Sequence, residues 1–498
     1  MNTHGIFANY TDKETLEKIV DYKSVSEMWA HSVSTYPDKI ALIDTREVTY
    51  KELDDEVAAF RTVLVNAGIK AGDNVGVFCP NSIEFAKAYL AITTMGAVAV
   101  LLPPHLDAMT VFGCSMKFAL KAIVYAEALS ANTSILAAKN PSFPLIDIKA
   151  TADVATPAID VEGDAPCTVL FTGGTTGRSK GALLSNAAVM RGTKNGCYGI
   201  KYVFEQKYLL VLPLTHVFGL IRNLLTSLYT GSTLFICVNN KDMFKNIAQF
   251  RPTILVLVPA LAEMALNLSK QFGRNMLGED MKTIICGASV VSPHLVTEYE
   301  KFGIALLPGY GLTESANLVS GNPEAMKKAT SVGFIYPGID YKIVDGELWL
   351  KGINMMLRYV GEPEENAIAY EDGWFKTGDL VKIDEEGFLY ITGRKKEVIV
   401  LPSGENISPA ELESYFYEVD EVQDCLVYEK DGLLAIDILP RVSVLKKNGI
   451  TDAEAYFTEK VREINAKLPS FARINKIIIR DTDFVRSPSM KIVRGQNK

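Results

Sequence analysis

The sequence predicts an α/β protein with a large N-terminal domain of helix-covered, mostly parallel sheets plus a β-rich portion, and a small α+β C-terminal domain. Short apolar runs alternate with helical patterns over two stretches, residues 25–160 and 165–320. Strands that alternate with helices in this way form parallel sheets whose faces the helices cover. A turn-rich segment with strand patterns, residues 330–392, follows and supplies the β-rich portion.

The apolar runs in the two blocks are short enough to be buried strands, and they are separated by turn and capping residues. Asn81 or Ser82 can cap the first helix, because both side chains accept hydrogen bonds from the free amides of a helix start. The predicted elements are strands at residues 74–79, 98–102, 122–125, 208–212, 233–238 and 254–258, and helices at residues 82–95, 111–120, 220–229 and from Pro259 onward.

The pattern changes near the C-terminal end of the chain. Ser408, Pro409 and Glu411 have the spacing of a capping box with proline at the first helical position. Asp431 and Gly432 lie between two apolar runs, which is typical of a hairpin turn. The other predicted elements are hairpin strands at residues 425–428 and 433–438, a helix at residues 452–468 and a strand at residues 476–479.

A polar, charged segment joins this last unit to the rest of the chain. Segments of this kind are typical of domain boundaries, where few apolar contacts cross. We therefore place the boundary within residues 393–397, which divides the chain into domains at residues 1–393 and 394–498.

Composition excludes several classes of protein. The 498 residues are 48% hydrophobic and 22% charged, as in ordinary globular proteins, and the formal net charge is -8. An acidic chain lacks the basic surface that nucleic-acid binding requires, so no nucleic-acid partner is expected.

Neither the N-terminus nor any apolar stretch predicts secretion or a transmembrane segment. The first twenty residues lack a basic start, an apolar core and a cleavage site. The most apolar stretch, residues 88–104, is interrupted by Thr93, Thr94 and Gly96 and is too short to span a bilayer. The seven cysteines are scattered without a Cys-x-x-Cys pair, which fits a reducing, cytoplasmic location.

The stretch LFTGGTTGRSKGALLS, residues 170–185, has the chemistry of a phosphate-binding loop. Its glycines allow a tight turn and a close approach to a ligand, while threonine hydroxyls and Lys180 supply donors and positive charge. The order Lys180-Gly181 does not match a Walker A loop, and the glycine spacing does not match a dinucleotide-binding fingerprint. From these residues alone, an ordinary glycine-rich surface loop is the alternative.

This loop closely resembles the phosphate-binding signature of the adenylate-forming superfamily, which comprises acyl-CoA synthetases, luciferases and the adenylation domains of peptide synthetases. Five further segments resemble motifs of the same superfamily in the same order along nearly the whole chain. They are LPLTHVFGL at 212–220, GYGLTES at 309–315, GWFKTGD at 373–379, GRKKEVIV at 393–400 and SPSMKIVR at 487–494. By this resemblance the chain is identified as a member of that superfamily, of the acyl-CoA synthetase or fatty-acid–CoA ligase type.

The resemblance implies a two-step reaction and a set of residues for it. ATP and a carboxylate would give an acyl-adenylate and pyrophosphate, and the acyl group would then pass to a thiol. Thr313 would hold the α-phosphate, Glu314 would bind Mg²⁺, and Asp379 would accept hydrogen bonds from the ribose hydroxyls. The implied catalytic residues are Lys180, Thr313, Glu314 and Lys491. The implied nucleotide- and cofactor-binding residues are Thr172, Gly173, Gly174, Thr175, Thr176, Gly177, Gly287, Ala288, Tyr310, Gly311, Asp379, Arg394 and Gly404.

The resemblance also assigns the mobile parts and the acyl pocket. The C-terminal domain is expected to move about a hinge at Lys396, and Gly404 would let the pantetheine arm of CoA pass close to the backbone. The acyl pocket would contain His216, Val217, Phe218 and Gly219. No acidic residue in 212–220 could pair with a substrate ammonium, so an apolar carboxylic acid, fatty or aromatic, is expected rather than an α-amino acid.

The thiol and the class of protein leave alternatives open. The chain ends seven residues after Lys491, which leaves no room for a carrier domain, so the thiol is expected to come from free CoA or from a separate acyl carrier protein. A nucleotide-binding sensor without catalysis would be expected to lack Lys491, Glu314 or Asp379, and all three are present. An oxygenase of the luciferase kind shares the same motifs, and nothing in the sequence favours it.

Overall fold

The computed structural model describes residues 4–172, 180–401, 405–486 and 492–497. The strands are β1 Ile40–Ile43, β2 Glu47–Thr49, β3 Asn74–Phe78, β4 Val98–Leu101, β5 Ala122–Tyr125, β6 Leu145–Asp147, β7 Pro166–Phe171, β8 Gly181–Ser185, β9 Lys207–Leu210, β10 Thr233–Ile236, β11 Ile254–Leu257, β12 Thr283–Cys286, β13 Ala305–Leu312, β14 Asn317–Gly321, β15 Phe334–Ile335, β16 Ile339–Val344, β17 Glu347–Gly352, β18 Arg358–Tyr359, β19 Tyr370–Glu371, β20 Trp374–Ile383, β21 Leu389–Arg394, β22 Ile399–Val400, β23 Asn406–Ile407, β24 Val422–Lys430, β25 Leu433–Pro440 and β26 Lys476–Ile479.

Helices lie between most of these strands. The α-helices are α1 Lys13–Lys18, α2 Val25–Thr35, α3 Tyr50–Asn66, α4 Ile83–Thr94, α5 Ala108–Lys117, α6 Ser134–Lys139, α7 Asn186–Asn195, α8 Thr226–Tyr229, α9 Met243–Phe250, α10 Pro259–Phe272, α11 Pro293–Glu300, α12 Pro363–Ala369, α13 Pro409–Tyr417, α14 Val442–Lys447 and α15 Ala453–Asn465. Short 3₁₀ turns cover Gly5–Asn9, Glu127–Thr133, Asn240–Asp242, Thr313–Ser315, Lys395–Glu397, Ser470–Ala472 and Arg494–Gln496, and Phe218–Leu225 is a π-helix.

Two large sheets form the main part of the fold. One has the strand order β15-β14-β13-β12-β11-β9-β10-β1-β2, and the other has the order β18-β8-β7-β4-β3-β5-β6. The central pairings of both are parallel, whereas β2, β14, β15, β8 and β18 pair antiparallel at the edges. The predicted fold class, with mostly parallel, helix-covered sheets, is confirmed.

The central strands are buried on both faces because helices cover them. All four residues of β4, β11 and β12 are buried, as is almost all of α4, which packs against β3 and β4. Ser82 caps α4 and its hydroxyl accepts a 3.2 Å hydrogen bond from the Phe85 amide, as predicted. The β-rich portion is a third, antiparallel sheet with the order β16-β17-β20-β19, and β21 pairs with β20.

The helix predicted at residues 220–229 differs from a regular α-helix. Its first part, Phe218–Leu225, is π-helical and only Thr226–Tyr229 is α-helical. The Thr226 hydroxyl donates a 2.9 Å hydrogen bond to the carbonyl of Ile221, five residues earlier, which suits the wider turn. Such widened turns occur frequently at functional sites.

The C-terminal portion has its own apolar core, built from α13, α15 and the sheet of β24, β25 and β26. The predicted hairpin forms between β24 and β25, and Asp431 and Gly432 both have positive φ, as a two-residue turn of this kind requires. The predicted capping box at Ser408 is wrong. Pro409 does begin α13, but the Ser408 hydroxyl donates to the Thr392 carbonyl at 2.5 Å and caps nothing.

A buried ion pair joins the C-terminal portion to the large sheets. The Arg441 guanidinium contacts both carboxylate oxygens of Glu263 at 2.7 and 3.1 Å, and it also donates to the Asp420 carbonyl. The two charged side chains belong to residues that are 1% and 6% exposed. Ser292 and His294 at the start of α11 add hydrogen bonds to residues of the C-terminal portion, so this contact combines charge pairing with hydrogen bonding.

Replacing Arg441 with Met should lower the free energy of unfolding by about 3 to 5 kcal/mol, because Glu263 is left buried without its partner. The double variant Glu263→Met/Arg441→Met should regain most of that loss, since no charge is left unpaired. Urea unfolding followed by circular dichroism measures both. Arg462→Met, which removes an exposed guanidinium from α15, should leave the curve unchanged. An Arg441→Met protein as stable as the native one would contradict this.

Candidate active site

A buried carboxylate, Asp379 in β20, binds side chains from two other strands. Asp379 is 2% exposed. It accepts a 2.6 Å hydrogen bond from the Tyr310 hydroxyl and lies 2.7 Å from Arg394 Nε. Asp379 and Arg394 are directly opposite each other in the β20–β21 pairing, so the sheet register itself holds the ion pair together.

The environment of this cluster fixes the protonation of its members. Burial and the neighbouring Asp379 carboxylate raise the pKa of Tyr310 well above its usual value, so the phenol keeps its proton. Burial alone would lower the pKa of Arg394, but the Asp379 charge raises it overall. The site therefore combines one carboxylate with one permanent cation and one neutral hydroxyl donor.

A second cluster forms around Glu314, four residues after Tyr310. Glu314 Oε1 accepts a 2.6 Å hydrogen bond from the Tyr359 hydroxyl, and the amide of Met356 donates to the Glu314 carbonyl at 2.7 Å. The Lys180 amine lies 4.7 Å from the centre of the Tyr359 ring and 2.6 Å from Glu365 Oε2. Tyr359 thus contacts both the carboxylate and the amine.

Strand pairing brings these distant residues together. Tyr359 in β18 pairs with Ala182 in β8, and Lys180 directly precedes β8. At the start of the predicted phosphate loop, the Thr172 amide donates a 2.8 Å hydrogen bond to the Lys180 carbonyl, so the ends of the loop are held side by side. The loop therefore joins two antiparallel strands, β7 and β8.

The strand β13 links the two clusters, because it changes partners along its length. Up to Pro308 it pairs parallel with β12, and from Gly309 onward it pairs antiparallel with β14. A Cβ at Gly311 would lie 1.6 Å from the Asn317 carbonyl oxygen, so only glycine fits at this position. Thr313 follows in a 3₁₀ turn and is buried.

The predicted acyl-pocket segment is largely buried. Val217 and Phe218 are 4% and 6% exposed, and the Phe218 amide donates to His216 Nδ1 at 3.3 Å. A Cβ at Gly219 would lie 2.2 Å from the Pro213 carbonyl oxygen, so Gly219 permits a tight backbone contact. A Cβ at Gly287 would lie 2.8 Å from the Gly309 carbonyl oxygen and 3.8 Å from the Phe218 ring, which places this segment beside β13.

Some of the remaining predicted residues lie in the part of the chain that the structure describes, and others lie outside it. Ala288 has a positive φ of 68° at the end of β12. Lys396 lies in a 3₁₀ turn, and burial together with the nearby Arg394 charge lowers its pKa. Seven predicted residues lie outside the described part of the chain: Gly173, Gly174, Thr175, Thr176, Gly177, Gly404 and Lys491.

Sequence reasoning missed three residues of these clusters. Tyr359 lies in a two-residue strand, and Glu365 lies in an acidic helix start that is typical of an exposed surface. Glu347, which is 4% exposed, accepts a hydrogen bond from the Gly378 amide at 2.9 Å and pairs with Lys395 at 3.0 Å. An acidic residue that directly follows Asp345-Gly346 reads as part of a turn, so no sequence signal marked Glu347.

The described residues contain neither a preformed metal site nor a membrane-spanning helix. Within the described residues, no group of three or more His, Cys, Asp or Glu side chains could hold a metal ion. No helix in the described part of the chain has the length and apolar character needed to cross a membrane.

Two family models match the chain. The model for the AMP-binding enzyme matches residues 29–360, and the model for the AMP-binding enzyme C-terminal domain matches residues 396–498. The chain belongs to the AMP-binding enzyme family. The predicted superfamily, its acyl-CoA synthetase type and the enzyme class of AMP-forming acid–thiol ligase are confirmed. The domain boundary and the roles of individual residues stay predictions.

Similar proteins include acid–CoA ligases with different substrates. The medium-chain fatty-acid–CoA ligase of Escherichia coli (strain K12) is 28% identical over 451 residues, which cover 82% of this chain and 79% of that protein. A crystal structure of the anthranilate CoA ligase AuaEII with anthranoyl-AMP has a TM-score of 0.83 at 18% identity and covers 96% of this chain and 97% of its own. The o-succinylbenzoate CoA synthetase of Bacillus subtilis, in complex with ATP and a magnesium ion, has a TM-score of 0.77 at 24% identity, with coverages of 94% and 98%. The two structures support the fold.

Proposed function

We propose that the protein activates a carboxylic acid with an apolar body as its acyl-adenylate and transfers the acyl group to CoA, with release of pyrophosphate and AMP. The observation that carries this proposal is the placement of two charged clusters at the two ends of residues 310–314. Tyr310 belongs to the Asp379 cluster, which also contains Arg394. Glu314 is the centre of the second cluster, which also contains Tyr359 and Lys180. A nucleotide between them would meet an acceptor for its sugar and a cation for its phosphates.

The Asp379 cluster suits the ribose of ATP. A carboxylate accepts hydrogen bonds through two oxygens, so it can bind two neighbouring hydroxyls while it keeps its ion pair with Arg394. Because Asp379 is held by the β20–β21 register and by Tyr310, its oxygens are oriented before the nucleotide binds.

The Glu314 cluster, which contains Lys180, suits the phosphates. Attack of a carboxylate on the α-phosphate brings two negative groups together, and a fixed cation near the phosphates offsets that repulsion. Lys180 supplies the charge, and Thr313, adjacent to Glu314, places a hydroxyl next to the same cluster.

The described residues fit a magnesium ion held jointly by protein and phosphates. Mg²⁺ is usually bound through one or two carboxylates together with substrate phosphates, and Glu314 is such a carboxylate, oriented by Tyr359. When bound, the ion would neutralise phosphate charge and polarise the phosphoryl oxygens.

The acyl part of the substrate is proposed to lie alongside Phe218 and Gly287. The walls there are apolar, and the segment 212–220 contains no acid for an ammonium group. The names of the similar ligases, which act on medium-chain fatty acids and on anthranilate, fit an acid with an apolar body. CoA is proposed as the thiol because these relatives are CoA ligases.

The seven cysteines are buried free thiols, which supports a cytoplasmic location.

The reaction is tested by pyrophosphate release. Purified protein with ATP, Mg²⁺ and a panel of acids of graded length and aromaticity should release pyrophosphate with at least one acid, and AMP should accumulate once CoA is added. Protein that binds ATP and releases no pyrophosphate with any acid would favour a nucleotide sensor instead.

Replacing Glu365 with Gln should tighten ATP binding on the order of fivefold, because this carboxylate pairs with Lys180 and repels the incoming phosphates. Isothermal titration with ATP and Mg²⁺ measures the affinity. Glu364→Gln is the matched control, since Glu364 is the exposed neighbour on the same helix. Weaker binding in Glu365→Gln would show that Glu365 positions Lys180 for the phosphates.

The two half-reactions should depend on different residues. Lys491→Ala should lose adenylate formation by removing a cation from the reacting carboxylate, yet still convert a supplied acyl-adenylate to thioester. Lys396→Pro should do the reverse, because proline fixes φ at the proposed hinge. Single-turnover assays of each half-reaction measure both effects. Loss of the same half-reaction in both variants would contradict the proposed alternation.

A further inference from the structure

One buried arginine has no counter-charge in the part of the chain that the structure describes. Arg222 lies in the π-helix and is 1% exposed. Its two terminal guanidinium nitrogens, Nη1 and Nη2, make no hydrogen bond, and no ion pair involves this side chain among the described residues. The other buried arginines of the described residues have partners: Arg441 pairs with Glu263, and Arg61 donates hydrogen bonds to the Thr156 carbonyl and the Thr94 hydroxyl.

Arg222 lines a cavity with mainly apolar walls. The cavity is small, with a volume of about 20 Å³, which is room for one small polar group. None of its described lining residues is acidic, and Tyr198, Ile285, Leu307, Leu318 and Tyr336 line the cavity together with Arg222. The cation is therefore enclosed by groups that cannot neutralise it.

A buried hydroxyl, that of Tyr208, lies beside the arginine. Burial raises the pKa of Tyr208 to about 12, and the Arg222 charge acts against that rise, which places the two side chains close together. The Tyr208 hydroxyl is fully buried, and Arg222 is its polar neighbour. The two terminal nitrogens of the guanidinium form a fork that both oxygens of a carboxylate can satisfy.

The cavity lies beside the proposed acyl site. Arg222 is four residues after Phe218, about one turn along the π-helix, so the two side chains share a face. Gly309 also lines the cavity, and its neighbour Tyr310 binds Asp379. An acid whose reacting carboxylate lies near Tyr310 and Glu314 would extend its far end along β13 toward Arg222.

We propose that the substrate is an acid with a second carboxylate at the far end of its apolar body, and that Arg222 binds this second carboxylate. A water molecule in the cavity could form hydrogen bonds but could not neutralise the charge, whereas an isolated buried cation is unfavourable. Arg222 is thus a specificity residue. This inference rests on the proposed function and narrows its substrate from an acid that is apolar throughout to one with an anionic end.

Matched pairs of acids test the proposal. The pairs are hexanoate and adipate, octanoate and suberate, and benzoate and terephthalate. In ATP–pyrophosphate exchange the native protein should use the preferred dicarboxylate at least about 100-fold better in kcat/KM than its monocarboxylate partner, because a site built around a buried polar group rejects a ligand that leaves it unpaired. Arg222→Met should reverse that order, and Arg222→Lys should keep part of it, since lysine retains the charge without the fork.

Arg191→Met is the control for loss of a positive charge, because Arg191 lies outside the cavity lining and pairs with Asp21. It should leave the acid preference unchanged. Arg222→Met is expected to fold, because removing an unpaired buried charge does not weaken the core. Equal use of both members of every pair, or a monocarboxylate preference in the native protein, would overturn the assignment.

A binding measurement separates this proposal from the reaction itself. In the presence of AMP, a dicarboxylate should raise the Tm of the native protein more than its monocarboxylate partner does, and Arg222→Met should abolish the difference. That result without any pyrophosphate exchange would support the Arg222 site and contradict the ligase reaction. Equal Tm shifts for both members of every pair would overturn the Arg222 site whatever the exchange assay gives.

Discussion

The ion pair between Asp379 and Arg394 is the interaction around which the candidate site is built. A carboxylate that is 2% exposed is stable only if cations and donors replace the water it has lost. Arg394 comes from the next strand, and Tyr310 comes from a different sheet. Satisfying one buried charge therefore fixes the position of the β-rich portion relative to β13, and with it the position of everything that β13 carries.

β13 positions several side chains of the candidate site because it pairs in two different ways along its length. Its parallel half extends the central sheet, and its antiparallel half turns toward β14 and leads into the turn of Thr313 and Glu314. Gly311 makes that change possible, since any side chain there would collide with the Asn317 carbonyl. A sheet edge that would otherwise be only structural thus presents a phenol, a hydroxyl and a carboxylate within five residues.

Local patterns were sufficient for much of the fold and for only part of the site. The serine cap of α4 and the Asp431-Gly432 hairpin follow from interactions within a few residues, and both were predictable. The role of Ser408 depends on the carbonyl of Thr392, sixteen residues earlier, and that contact is not visible in the local sequence. The π-helix at Phe218–Leu225 was not predicted either, because its apolar pattern also fits a regular α-helix.

The site shows the same division. Asp379, Arg394, Lys180 and Glu314 were found through motifs, whereas Tyr359 depends on the pairing of β18 with β8. Arg222 follows an apolar run in the sequence. A basic side chain at such a position usually reaches the surface. Only the fold shows that this side chain is almost completely buried.

The contact of Arg441 with Glu263 has a consequence for the time course of any large movement. A planar guanidinium that meets both oxygens of a carboxylate tolerates little rotation, so the pair cannot weaken gradually as residues 405–497 turn away. Both charges must become hydrated when they part, and the hydrogen bonds from Ser292 and His294 must break as well. Separation of the C-terminal portion should therefore be an infrequent, all-or-none event with a sharp barrier, and the dwell time of the docked arrangement would be set by these two residues.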